Sequence, residues 1–332
     1  MTSKLLGYND ISDSELLALG SKYLYIPLIV GNNQDITILV KKNDYVFKGE
    51  KIGKSKGNFS TFIYSPVSGI VIGFEEKIDC NGKKIKCLKI ESDYKEKKDI
   101  KEDYQKKLTE YTKDEYYNII KDSGIVENIF PIYTKYNSSL KTLIVNCVEY
   151  RRYISNNYFI IKNYIQQILE TIDAIMEINK IKECYIVISK NDKVLKKIFN
   201  SFLGTYLKIK LFEINKIPFK KTEFKIIKKI KKQKYKDNPS EIGVLYHQLQ
   251  TIYSIYEIHK CNKNSFSKIV TVITTNNSIE VGNFKIGLPI TNIIDEKFRE
   301  HEIYLLNDST SRKINYNDDY VITKDLDAIV IL

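Results

Sequence analysis

The sequence predicts a multidomain α/β protein: an all-β N-terminal sandwich, a central doubly wound α/β domain and a small, mainly β C-terminal domain. Three observations carry this. Short β-branched runs broken by turn residues fill positions 22 to 92, apolar strands alternate with helix-period segments from 142 to 248, and β character returns after 266.

Residues 1 to 21 form an N-terminal arm, which lacks the basic head and long apolar middle of a signal peptide. From 22 to 92 the runs "ITILV", "KIGKS", "TFIYSPVSGIVIGF" and "DCNGKKIKCLKI" are separated by glycine- and proline-containing turns, as a small sandwich of hairpins requires. Residues 93 to 120 are dense in charge and free of Gly and Pro. They suit an exposed connector ending in a helix that carries Tyr116, Tyr117, Ile119 and Ile120.

In the central domain, 121 to 265, strands are expected at 142–146, 183–189, 206–214 and 241–248, with helices at 158–178, 191–201 and 222–232. Ligands of such sheets sit beyond the carboxyl ends of the strands. The final 67 residues, 266 to 332, place strands at "KIVTVITT", "SIEVGNFKIGLPI", "DDYVITKD" and "DAIVIL" around a helical or irregular "TNIIDEKFREHE".

Composition narrows the function classes. The formal net charge of +12 is nearly all Lys, with Arg only at 151, 152, 299 and 312. Base readout and bidentate phosphate clamps favour Arg, so the charge reads as compositional background and nucleic acid is not the expected partner. No apolar run reaches the roughly 18 residues that a membrane-spanning helix needs, which predicts a soluble, cytoplasmic protein. The five cysteines show no C-x-x-C spacing and the three histidines do not cluster; reduced, packed thiols and no metal site are expected. Cys80 and Cys87 flank a turn, and a disulfide between them is the minor alternative.

Several ordered segments together resemble the RnfC family, a component of the Rnf ion-translocating electron-transport complex, and its proline-reductase-associated relative PrdC. "DYVFKGEKIGKSKGNFSTFIYSPVSGIV" is similar to the family's barrel-sandwich hybrid domain. "SGIVENIFPIYTKY", "TLIVNCVEYRRYIS", "GVLYHQLQTIYSIYEI" and "IVTVITTNNSIEVGNFKIGLPITNII" follow in the family's order, and "DDYVITKDLDAIVIL" resembles the strand pair ahead of its ferredoxin-like domain. The resemblance implies a central domain like the flavin-binding subunit of complex I, a C-terminal β-grasp-like (SLBB-type) domain, and electron transfer through FMN, NADH and iron–sulfur clusters.

The family's site motifs are altered here. The glycine-rich phosphate loop becomes Gly124-Ile-Val-Glu127-Asn-Ile-Phe130-Pro131, short and with an acid where bare backbone would approach phosphate. The acidic motif after the first strand keeps Glu149 but has Arg151 and Arg152 where an acid and a proline stand, and a third motif becomes His247, Gln248, Leu249, Gln250, Thr251. The expectation is therefore an accessory or adaptor subunit docked on redox partners (Rnf-like or reductase subunits, with a separate ferredoxin-like chain as a further candidate), peripheral to a membrane complex. No FMN, NADH or iron–sulfur cluster is expected. The alternative is an active flavin- or NADH-linked carrier with a pocket rebuilt from Gly124, Glu149, Arg151, Arg152, His247 and Gln248; a further one is a protein that binds another anionic ligand or nucleic acid.

Three bland readings stand beside sharper ones. The "SPVSG" turn invites a biotin- or lipoyl-carrier reading, yet no Lys occupies it, which favours a structural turn. Phe224, Ile227 and Ile230 suggest that the lysine-rich helix at 222–232 docks on the sheet with its Lys face solvated, instead of binding nucleic acid or lipid. Arg151 and Arg152 could mark an anion site or simply a pocket rim.

Overall fold

A computed structural model describes residues 11–12, 21–98, 108–137, 139–151, 153–215, 222–261, 266–275, 278–307, 310–316 and 319–332. Most of the N-terminal arm and positions 99–107 of the connector lie outside them, as does Arg152.

The N-terminal sandwich packs two antiparallel sheets over one core. In one, Tyr23–Pro27, Lys84–Ser92, Gly69–Ile78 and Tyr45–Val46 lie side by side; in the other, Ile36–Ile38, Lys51–Ser55 and Phe62–Tyr64. Their inward residues, among them Leu24, Ile26, Val46, Ile52, Val71, Leu88 and Ile90, are almost fully buried. Removing such apolar area from water is the driving force of the domain. The "SPVSG" turn is interior: Ser65 and Ser68 are fully buried, and the Ser65 hydroxyl donates to the Val67 carbonyl at 2.6 Å. A buried turn cannot present a carrier lysine. The start of the expected connector folds back onto this domain, since the Ser68 hydroxyl donates to Asp93 at 2.6 Å and accepts from the Lys97 N–H at 2.9 Å.

The connector then forms helix α1, Lys113–Asp122, started by a capping box in which the side chains of Thr112 and Glu115 each accept the other's backbone N–H. Tyr116 and Ile120 bury its inner face.

The central sheet is wholly parallel, in the spatial order Ile209–Ile214, Glu183–Ser189, Thr142–Asn146, Val244–Gln248. Helices α2 (Asn156–Ile178) and α3 (Lys193–Phe202) and the last helix, α5 (Leu249–Cys261), share one core with Leu143, Val145, Ile186 and Leu245 on one face. Helix α4 (Thr222–Lys231) lays Ile226, Ile227 and Ile230 against Ile144, Val187 and Tyr246 on the other. Both faces are covered, which is why the strands read as continuous apolar runs. Two of the expected strands match residue for residue, and the other two begin three residues later than expected, at Ile209 and Val244. The sequence reading did not anticipate α5.

The C-terminal sheet differs more. Its order is Ile11–Ser12, Ile279–Lys285, Ser267–Ile273, Ala328–Ile331, Ile303–Leu306, Ser311–Ile314. The expected strand "DDYVITKD" makes only isolated bridges, Tyr320 with Ile78 and Val321 with Pro289, whereas Ile303–Leu306 and Ser311–Ile314 form an antiparallel hairpin instead. Ile11 and Ser12, from the arm, pair in parallel with Ile279 and Glu280, so the arm contributes an edge to the last sheet.

Candidate functional site

Chain order runs outward from Thr142–Asn146 through two strands and then returns to its other side at Val244–Gln248, so the topological switch lies between these two strands. Beyond their carboxyl ends opens a cleft of about 450 Å³, closed by the N-terminal residues of α2 and α5, by the segment 125–129 and by the C-terminal sheet through Lys268, Asn283 and Asp327. Its size and place suit a cofactor-sized ligand.

Asn146 ends the first strand and holds its rim together. Its Nδ2 donates to the Gln248 Oε1 at 2.8 Å and to the Tyr150 hydroxyl, and its Oδ1 accepts the Val148 N–H at 3.2 Å. The Glu149 carboxylate accepts the N–H of Asn157 in the first turn of α2, satisfying one of the donors a helix start leaves open. The hydroxyl of Thr271 accepts the N–H of Ser155 and donates to Asn156, which anchors the start of α2 to the C-terminal sheet.

The segment resembling a phosphate loop is a tight hairpin. Glu127 pairs with Phe130 and Val126 with Pro131, and the two turn residues Asn128 and Ile129 have φ of +56° and +86°. Two consecutive positive φ values define the turn that matches strand twist; Asn accepts them readily and a β-branched Ile does not. Glycines make room for the segment: a Cβ on Gly31 would lie 1.9 Å from the Ile129 carbonyl oxygen. Gly124, at φ +73°, receives the Lys324 ammonium on its carbonyl at 2.6 Å and gives its N–H to Thr61. At the hairpin's tip the Asn128 amide donates to Glu223 on α4.

Glu127 itself turns inward, only 5% exposed. Its carboxylate accepts the Gln248 N–H and the Thr251 hydroxyl, each at 2.6 Å, at the very start of α5. Lys135 pairs with it, and that ammonium also donates to the Tyr246 carbonyl at 3.1 Å. The His247 Nδ1 lies 3.1 Å away; facing a carboxylate that can only accept, it carries the proton, and Nε2 is left to accept from the Tyr136 hydroxyl, also at 3.1 Å. Burial by itself would push the Glu127 carboxyl up, but the Lys135 charge and the His247 ring outweigh it and hold the group well below the usual carboxylate range. His247, completely enclosed, is pushed down by burial in spite of the neighbouring carboxylate. The ring is neutral.

Of the residues expected to line a pocket, Glu149, Arg151 and Gln248 do so. His247 and Gly124 stand behind the cleft wall, in support of it, and Arg152 is outside the described residues. Sequence reasoning missed Lys135 and Asn283, and named Thr251 only as the end of an altered motif. A charged residue in the otherwise apolar "FPIYTKY" was a signal for the first of these, but its partner's position was not readable. Arg151 Nε and Asn283 Oδ1, buried atoms of two residues that line the cleft, have no hydrogen-bond partner among the described residues. Lys324 also reaches the cleft, and burial lowers its ammonium to about 8. Cys80, Cys87, Cys147 and Cys184 are buried free thiols, so Cys80 and Cys87 are not bridged; among the described residues no three potential metal ligands of the His, Cys, Asp or Glu type come together.

Comparison with known proteins gives matches over most of the chain. The RnfC barrel sandwich hybrid domain matches residues 14–95, and the Nuo51 FMN-binding domain matches 120–257, the stretch that contributes the hairpin and both strand ends. A component of the ion-translocating oxidoreductase complex of Buchnera aphidicola subsp. Acyrthosiphon pisum is 29% identical over 90% of the chain. A component of the Na(+)-translocating ferredoxin:NAD(+) oxidoreductase complex of Acetobacterium woodii is 21% identical over 87%. The chain spans 65% and 68% of these two relatives. Among solved structures, a chain of an NAD+-reducing NiFe hydrogenase in its H2-reduced state has a TM-score of 0.53 over 68% of this chain and 47% of its own, at 10% identity, a likeness of fold alone.

The match to an FMN-binding domain overturns the expectation that no cofactor belongs here. Its physical ground falls as well: Glu127 is not a bare charge set against a phosphate on an open loop but a neutralised group inside the wall. No helix among the described residues is long and apolar enough to cross a membrane.

Proposed function

We propose that the chain is an RnfC-family electron-transfer subunit of a membrane-associated redox complex whose central cleft binds a flavin. The observation that carries the reading is the cleft at the topological switch of the domain matched as FMN-binding. A bound flavin supplies reversible uptake of reducing equivalents. The protein's part is to bind and orient it: Arg151 and Asn283 line the cleft, and Asn146, Gln248 and Tyr150 fix the floor. The Glu127–Lys135–His247 cluster keeps that floor rigid from beneath.

In this reading the units are a sandwich at 22–92, a flavin-type domain at 121–265 and a β-grasp-like sheet at 266–332. The last is supported by the parallel pairing of Ser267–Ile273 with Ala328–Ile331 between two antiparallel neighbours. Redox-complex proteins, a ferredoxin-like chain among them, are the proposed partners; the relatives named as components of such complexes support this. The test is reconstitution of the full chain with FMN followed by its visible spectrum. A retained, stoichiometric yellow chromophore that NADH or a reduced ferredoxin bleaches supports the proposal. A colourless protein after desalting sinks it.

A further inference from the structure

Both helices that point their N-termini at the cleft are already capped by the chain's own acids, Glu149 on α2 and Glu127 on α5. An N-terminus is where an incoming phosphate gains most, from open N–H donors and the positive end of the helix dipole. At α5 those gains are spent internally. The Glu127 carboxylate takes the Gln248 N–H, the Thr251 hydroxyl and the Lys135 ammonium, a donor set of the kind that binds an anionic oxygen group. The rest of the wall does not compensate, because Glu257, Asp325 and Asp327 stand against Arg151, Lys268 and Lys324. Of those cations Lys268 is committed to Asp327 at 3.1 Å and Lys324 to the Gly124 carbonyl.

We propose that Glu127 is a specificity-determining residue: its carboxylate occupies from within the chain the anion position at the start of α5, so the cleft draws no affinity from a terminal phosphate of its ligand. The inference rests on the flavin reading and deepens it. Riboflavin and FMN differ only in that phosphate, which makes them the probes.

The experiment measures the dissociation constants of both flavins for the full chain by quenching of flavin fluorescence, in the wild type and in Glu127→Gln. Expected are wild-type constants within about threefold of each other, and a shift of about tenfold or more in favour of FMN in the variant, where the donors are no longer held by a charge. Wild-type protein that binds FMN about a hundredfold tighter than riboflavin overturns the inference, and this arm needs no variant. A folded Glu127→Gln protein with an unchanged ratio overturns it equally. Failure of both proteins to bind either flavin removes the flavin reading itself and the inference with it, an outcome distinct from binding with the wrong preference.

Discussion

The carboxylate of Glu127 lies 2.6 Å from the hydroxyl of Thr251, 124 residues further along the chain. This contact ties the hairpin at 126–131 to the first turn of α5, and with the Gln248 N–H it closes one end of the cleft. Buried ion pairs contribute little against an apolar replacement, but breaking one strands a charge.

Glu127→Gln therefore leaves Lys135 uncompensated, and the chain should lose about 3–5 kcal/mol of stability, read as the shift of a urea unfolding midpoint. Glu127→Gln combined with Lys135→Met removes both charges, and much of the loss should be recovered. Equal losses in the single and double variants would show that the pairing is not what matters. The sign of the pH effect follows from the depressed carboxyl. Its stabilisation is present above the ordinary glutamate range and disappears as pH falls through and below it, so the difference between wild type and single variant should shrink in acid.

Ile129 holds a φ of +86° while its side chain is 49% exposed, so it carries strain and buries little. Ile129→Gly should stabilise the protein by about 1 kcal/mol, because glycine adopts this conformation without the Cβ clash. Ile129→Ala keeps the clash and should bring no gain. Thermal melts of the two variants decide; an alanine variant as stable as the glycine one would refute the strain account.

Lys324 has an ammonium lowered by burial to about 8 from its ordinary 10.5. Between these values the unfolded chain retains a proton that the folded chain has shed, so stability should rise with pH across that window, by on the order of 3 kcal/mol at most. Lys324→Gln should flatten the profile. Unfolding curves from pH 7 upwards check this, and a wild-type profile that falls from about pH 8 to 10 would contradict it.

Arg151 lines the cleft and anchors one guanidinium nitrogen on the Thr310 carbonyl at 2.9 Å. Arg151→Gln should weaken flavin binding by about tenfold or more, the worth of a charged hydrogen bond, at nearly unchanged melting temperature. Loss of stability without loss of affinity would make it a structural residue instead.

The N-terminal sandwich and the central parallel sheet were legible because their signals are local. Residues 142–146 and 183–189 are apolar runs buried on two faces, and the turn chemistry of "SPVSG" is written in adjacent residues. Where the pattern gave less, so did the reading. Helix α5 was missed, and the hairpin of Ile303–Leu306 with Ser311–Ile314 was passed over in favour of a strand at 318–325.

The site divided in the same way. Glu149, Arg151 and Gln248 could be placed at strand ends from the sequence, because the carboxyl ends of parallel strands always converge. The meaning of Glu127 could not. In one dimension it is an acid in a phosphate loop, which argued against any cofactor; in three it is partnered by Lys135, His247, Gln248 and Thr251 and its charge is neutralised within the wall. Sequence alone determined the elements, whose propensities and periodicities act over neighbouring residues. Only the tertiary structure decided what Glu127 does, because the energy of a buried charge depends on which groups the fold brings within about 3 Å of it, and of these His247, Gln248 and Thr251 lie 120 to 124 residues along the chain.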